Sequence, residues 1–265
     1  MKLSLVLFRV KVLLRYFLYA RHAKGFGIHS PFVFYFVREL VYEQLPYYGF
    51  NKVNAARDML RRSKRKVNVQ SYGAPSVNPA KEKYIKNLIQ EGSIPAKYGE
   101  LLFRMIDWQA FENILELGTG TGIGTLYLAL PDSRARVTTI EGNKALCRVA
   151  GQVFESAGAT NIKVLNGKIQ EVLPSFLEQT EKVDFVLFDG DHQYQTTLEY
   201  FELCLKKSHN DTIFVFDDIH WSPGMEKAWD EIAGRPDVTV SIDLFRMGIV
   251  FFRKECTKQH YVLRY

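Results

Sequence analysis

The run Ile114-Leu-Glu-Leu-Gly-Thr-Gly-Thr-Gly-Ile-Gly124 constrains the fold of this chain more than any other stretch. Its apolar start reads as a buried strand. Gly118, Gly120 and Gly122 then fall at every second position, and Thr125–Leu130 reads as a buried helix. Strand, glycine turn and helix in that order gather backbone N–H groups and a helix N-terminus at one point, which is a place for a ligand. Glycines suit that place because a side chain would block a ligand approaching the main chain.

The neighbouring sequence repeats the theme. Segments 136–141, 162–165, 183–188 and 212–216 read as further strands, with helices over 144–157, 169–178, 196–207 and 224–232 between and after them. Strands alternating with helices imply a doubly wound, mostly parallel α/β sheet. Segments 238–243 and 248–253 lie close enough to close it as an antiparallel hairpin, for seven strands in all. In open sheets of this kind ligands sit beyond the carboxyl ends of the strands. Those ends carry Glu116, Glu141, Asn166-Gly-Lys-Ile-Gln170, Asp189-Gly-Asp-His192 and Asp217-Asp218.

The glycine turn selects among nucleotide ligands. The dinucleotide pattern G-x-G-x-x-G fails in every register, because positions 123, 125 and 127 are Ile, Thr and Tyr. No Gly-Lys-Ser/Thr follows, so the phosphate-loop pattern fails too. What remains, acid-x-Gly-x-Gly-x-Gly, resembles the first motif of class I S-adenosylmethionine-dependent methyltransferases, and the closing hairpin agrees with it. The resemblance covers residues 97–253. It implies a cofactor lying on Gly118, Thr119, Gly120 and Gly122, with its ammonium group on Glu116 and its ribose hydroxyls on Glu141. The adenine edge would lie near Gly167, Lys168 and Gln170, and Asp189 would help to orient the cofactor.

The last two strand ends narrow the likeness. They resemble those of the catechol and caffeoyl-coenzyme A type O-methyltransferases, in which a metal-binding Asp ends strand four, a Lys base stands three positions on, and strand five ends Asp-Asn. Here Asp189 is followed by His192 at the base position, and strand five ends Asp217-Asp218. His192 is a suitable base near neutral pH. Clustered carboxylates need a cation or a proton to relieve them, and oxygen ligands suit a hard ion such as Mg²⁺. Asp189, Asp217 and Asp218 are therefore the expected metal ligands, with Asp218 departing from the family pattern.

The flanks add a second theme. Residues 1–70 hold 14 of the 35 Lys and Arg but only 3 of the 29 Asp and Glu, so the net charge of +6 belongs to the N-terminal part. Residues 3–20 are strongly apolar, yet Arg9, Lys11 and Arg15 interrupt them before the about 20 apolar residues that a bilayer span needs. Leu3, Val6, Leu7, Val10, Leu13, Leu14 and Phe17 form one helical seam, expected either to pack on protein, including a second copy, or to lie in a membrane surface. Ser30 before Pro31 predicts a capped helix start. The basic run Arg61–Lys66 ends a further helical stretch, and Ser71–Ser76 reads as a loop beside the site. Three widely spaced cysteines, Cys147, Cys204 and Cys256, predict neither a disulfide framework nor a zinc site and fit a cytoplasmic chain.

The expected organisation is a basic helical extension over 1–95 and an S-adenosylmethionine-binding domain over 96–265. The expected reaction is O-methylation of a small-molecule or lipid-like hydroxyl. Two alternatives stay open: a nucleic-acid methyltransferase, favoured by the basic flank but lacking an Asn/Asp-Pro-Pro-Tyr/Phe motif, and a non-catalytic membrane-surface protein on the same fold.

Overall fold

The computed structural model describes residues 3–20, 25–69 and 82–265. They divide into two compact units, 44–179 and 1–43 with 180–265. The principal sheet counts eight strands, one more than expected. The loop expected at 71–76 lies outside the described residues.

Unit 44–179 begins with α3 (Tyr48–Arg62), a two-stranded ribbon of β1 (Lys66–Asn68) and β2 (Glu82–Tyr84), α4 (Ile85–Gly92) and α5 (Ala96–Trp108). It continues as β3 (Asn113–Leu117), α6 (Ile123–Ala129), β4 (Arg136–Glu141), α7 (Lys144–Ala157), β5 (Ile162–Asn166) and α8 (Ile169–Glu178). β3, β4 and β5 pair in parallel, which sets Glu116 opposite Thr139 and Glu141 opposite Asn166. β3 is buried almost throughout, as a strand covered on both faces must be. Asn143 caps α7 by accepting from the backbone N–H of Ala145 and Leu146, and Gly158 ends that helix at φ 68°.

The other unit opens with α1 (Leu3–Tyr19) and α2 (Pro31–Phe36), the latter capped by Ser30 as its sequence predicts and continued by a π-helical turn at Val37–Val41. After residue 180 come β6 (Phe185–Phe188), α9 (Tyr194–Leu205), β7 (Ile213–Phe216), α10 (Pro223–Gly234), β8 (Val240–Asp243), β9 (Gly248–Phe251) and β10 (Gln259–Val262). β6 and β7 pair in parallel, β9 pairs antiparallel with β7 and β8, and β10 adds to β8 in parallel. β10 is the extra strand; its Gln-His-Tyr-Val sequence has only Tyr261 buried, so no alternation announces it.

α1 forms as expected but docks by the opposite face. Val12 and Tyr16 are buried, whereas Leu7, Leu14, Phe17 and Leu18 of the apolar side stand 52–75% exposed. Specific bonds decide the orientation. The Tyr16 hydroxyl donates to the Leu263 carbonyl, and the Tyr16 ring packs on Phe245 at 5.0 Å. Arg9 donates to the Trp221 carbonyl at 3.1 Å with its guanidinium 3.7 Å from the indole, and Arg15 pairs with Glu226. Among the described residues no helix is long and apolar enough to cross a membrane.

The glycines separate close packing from mere permissiveness. A Cβ at Gly99, in α5, would lie 2.2 Å from the Tyr127 ring, whereas one at Gly151, in α7, would meet nothing within 4 Å. Gly99→Ala is expected to destabilise by about 1–3 kcal/mol through overpacking. Gly151→Ala is expected to stabilise by up to about 1 kcal/mol through helix propensity. Urea midpoints of the two variants check the pair.

Candidate functional site

In unit 44–179 the candidate residues gather at the turn after β3. Gly118, Gly120 and Gly122 all have positive φ, at 106°, 53° and 85°, which L side chains rarely adopt. The two later glycines differ in purpose. A Cβ on Gly120 would point into open space, so that stretch of main chain is accessible to a ligand. A Cβ on Gly122 would strike the Phe154 ring at 2.7 Å, so Gly122 serves helix packing rather than ligand approach. Gly167 is similar, with Val172 at 2.5 Å from where its Cβ would stand.

Glu116 lies beneath this turn, 1% exposed. Its Oε2 accepts from the hydroxyls of Thr125 at 2.5 Å and Thr139 at 2.6 Å. Since the Thr139 proton is thereby committed, the Thr119 hydroxyl donates to Thr139, 2.5 Å away. Oε1 of Glu116 is buried without a hydrogen-bond partner. Burial pushes the carboxyl up to about 7, against the two threonine bonds that pull it down and with a smaller push from Glu141. A buried carboxyl with one oxygen unpartnered is incomplete, and a cationic donor would complete it. Glu141, at the end of β4, accepts from Gly120 N–H at 2.9 Å through Oε2 and from Asn143 N–H at 2.7 Å through Oε1. An acceptor-only carboxylate fixed at a strand end in this way suits hydroxyl donors. Gly167 N–H donates to the Glu141 carbonyl at 3.0 Å, Lys168 pairs with Glu171 at 3.1 Å, and Gln170 stands exposed on the first turn of α8.

The other unit carries its own cluster of acids at the ends of β6 and β7. Asp189 Oδ1 stands 3.6 Å from His192 Nε2. Asp191, His192 and Asp218 are non-glycine residues at φ 63°, 46° and 54°. Such strain costs on the order of 1–3 kcal/mol each and clusters at functional sites. Asp191 accepts from the Tyr200 hydroxyl. His220 faces two other carboxylates: its Nε2 is 2.9 Å from Asp243 and its Nδ1 3.4 Å from Glu226.

Arg246, from the loop between β8 and β9, answers the charge problem that the acids pose. It donates to both oxygens of Asp217, at 3.0 and 2.8 Å, and stands 3.4 Å from Asp218. Burial opposes its charge, but the bonds and charges of the neighbouring aspartates prevail and raise its pKa. Asp218 is shifted up, by burial first and by Asp217 second. The expected metal set therefore does not fit. Asp217 is 1% exposed with both oxygens committed to a guanidinium, and among the described residues no group of three His, Cys, Asp or Glu is placed to hold an ion. The three cysteines are free thiols.

Comparison with known proteins agrees with this architecture. Residues 115–219 match a family model described as a methyltransferase domain. The chain is 30% identical over 142 residues to a catechol O-methyltransferase of Niastella koreensis, covering 50% of this chain and 63% of that protein. The match thus spans less than two thirds of that relative. An O-methyltransferase from Bacillus cereus in complex with SAH superposes with TM-score 0.57 at 20% identity, over 82% of this chain and 95% of that one. The O-methyltransferase TomG from Streptomyces achromogenes, in complex with SAM, gives TM-score 0.57 at 21% identity, over 83% and 94%. The fold is the Rossmann-like methyltransferase fold.

The buried acid has a pH signature in the ligand-free protein. Between about pH 4.5 and 7 the folded chain holds a proton on Glu116 that the unfolded chain has released. Stability is therefore expected to fall as pH rises through that window, by roughly 3 kcal/mol in total, and to level off above it. Glu116→Gln should flatten this dependence, which urea unfolding of both proteins across pH measures.

Proposed function

We propose that this chain is an S-adenosylmethionine-dependent methyltransferase acting on the hydroxyl of a small or lipid-like acceptor, with residues 96–265 as the catalytic domain and 1–95 as an extension. The observation that carries this reading is Glu116, buried under an open glycine turn with one oxygen unpartnered. A sulfonium nucleoside supplies an activated methyl group, and its amino-acid end carries the cation that this carboxylate lacks. Glu116 holds the ammonium, the main chain from Gly118 to Gly120 lies along the methionine part, Glu141 takes the ribose hydroxyls, and Gln170 meets the adenine.

His192 takes the proton that the acceptor hydroxyl loses as its oxygen attacks the methyl carbon in line with the departing sulfur. Asp189 stabilises the resulting imidazolium across 3.6 Å. Arg246 supplies the positive charge for Asp217 and Asp218, so the proposed transfer uses no metal. His192→Gln is expected to lower kcat at least 100-fold with little change in cofactor affinity, and transfer should persist in EDTA.

Calorimetry with S-adenosylmethionine tests the cofactor assignment. One site per chain is expected, with Glu141→Ala weakening it at least tenfold. Absence of binding by folded protein would overturn the proposal. An extract screen with methyl-labelled cofactor then identifies the acceptor.

The outward seam of α1 favours peripheral membrane contact over a second copy as the use of that helix. Residues 1–24 carry six Lys and Arg and no Asp or Glu, and exposed Lys11 flanks the apolar side, the arrangement that an anionic lipid surface attracts. The full chain should float with phosphatidylserine vesicles, and Leu7→Glu with Leu14→Glu should abolish flotation. A stable dimer in place of flotation would assign the seam to self-association.

A further inference from the structure

A cavity of about 340 Å³ lies in the same unit as the strand-end acids. Val10 and Leu13 of α1 line it together with Trp221 and Phe245, and Arg9, Asp218, His220 and Arg246 supply its polar lining. Its size is that of a small-ligand pocket, and its composition is right for one: mostly apolar walls with a few convergent polar groups.

Three observations suggest a built site rather than a packing fault. Two of the four described non-glycine residues with positive φ, Asp218 at 54° and Phe245 at 72°, line it, and such strain persists where the surroundings over-determine it. Trp221 is held in place by Arg9, which covers its ring at 3.7 Å and bonds its carbonyl at 3.1 Å. Phe245 is braced from two sides by Tyr16 at 5.0 Å and His220 at 5.7 Å. Val10 and Leu13 are also 50% and 38% exposed, so the apolar wall runs out onto the outward seam of α1. A compact polar ligand would leave those walls unused. A ligand with an apolar body and one polar end would fill both parts.

We propose that this cavity is the acceptor pocket and that it admits an amphiphile, an apolar chain or ring system ending in a hydroxyl. The apolar body lies against Val10, Leu13, Trp221 and Phe245. The hydroxyl end faces Asp218 and Arg246. The role as acceptor pocket rests on the methyltransferase reading; the binding itself does not.

The test uses the full chain without cofactor and bromoundecanol as probe, because bromine quenches indole fluorescence on contact. Of the tryptophans, Trp221 lines the cavity, while Trp229 is buried in α10 and Trp108 lies in the other unit. Saturable quenching is expected, while bromoethanol, which lacks the apolar body, quenches without saturation. Trp221→Phe should remove most of the saturable signal. Leu13→Glu, and separately Val10→Gln at a half-exposed position that tolerates it, should each raise the half-saturating concentration at least tenfold. Non-saturable quenching, or unchanged affinity in both wall variants, overturns the pocket. Amphiphile binding by a protein that fails to bind S-adenosylmethionine in calorimetry would keep the pocket and overturn its acceptor role.

Discussion

A carboxylate placed where no solvent reaches it dominates unit 44–179. Glu116 is fixed by β3, and two threonine hydroxyls satisfy only one of its oxygens. Removing a charge from water without a full set of partners is costly, so the carboxyl is held protonated up to about pH 7. The glycine turn above it adds three left-handed backbone positions. Gly122 serves packing against Phe154, but neither the buried carboxyl nor the open main chain at Gly120 improves the packing of the fold. Both become intelligible if a cationic, hydroxylated ligand supplies the missing contacts, with Glu141 already tethered to the same turn through Gly120.

The acid cluster of the other unit resolves its electrostatics differently. Two adjacent aspartates at a buried strand end cannot both be charged without a counter-ion, and Arg246 supplies one within the chain. A guanidinium is permanently charged and bidentate, so it pins the geometry of Asp217 as well as its charge. Asp189 and His192 stand 3.6 Å apart in the same unit.

Much of this was legible in the residues alone. The strands and helices from Asn113 to Phe251 fall within a few residues of their periodic signals, because apolar runs bounded by glycine, asparagine and acids are strong local cues. Glu116, Glu141 and the aspartates stand at strand ends, where their positions in the sequence put them. Arg246 was not legible: a lone arginine in a loop far along the chain from Asp217 carries no local mark. The left-handed turns at Asp191, His192 and Asp218 had only a weak mark, since Asp and His tolerate that region better than most residues. For α1, periodicity revealed the apolar side but not which side would dock. That choice was made by Tyr16, Arg9 and Arg15, whose partners lie more than 200 residues away. β10 escaped notice because an edge strand with mixed burial does not alternate.

The join between the first helix and the last residues has a consequence for biosynthesis. Tyr16 donates to the Leu263 carbonyl and accepts from Tyr265 N–H at 3.1 Å, while Tyr42 donates to the Arg264 carbonyl. The seat of α1 is thus finished by residues that leave the ribosome well after the helix does, Leu263 lying 247 positions beyond Tyr16. Until those residues emerge, the inward aromatic flank of that helix lacks its neighbours while the outward leucine flank stays exposed. The nascent chain must keep an apolar segment out of premature aggregation over that interval, and early capture by a chaperone or a bilayer would provide that shelter.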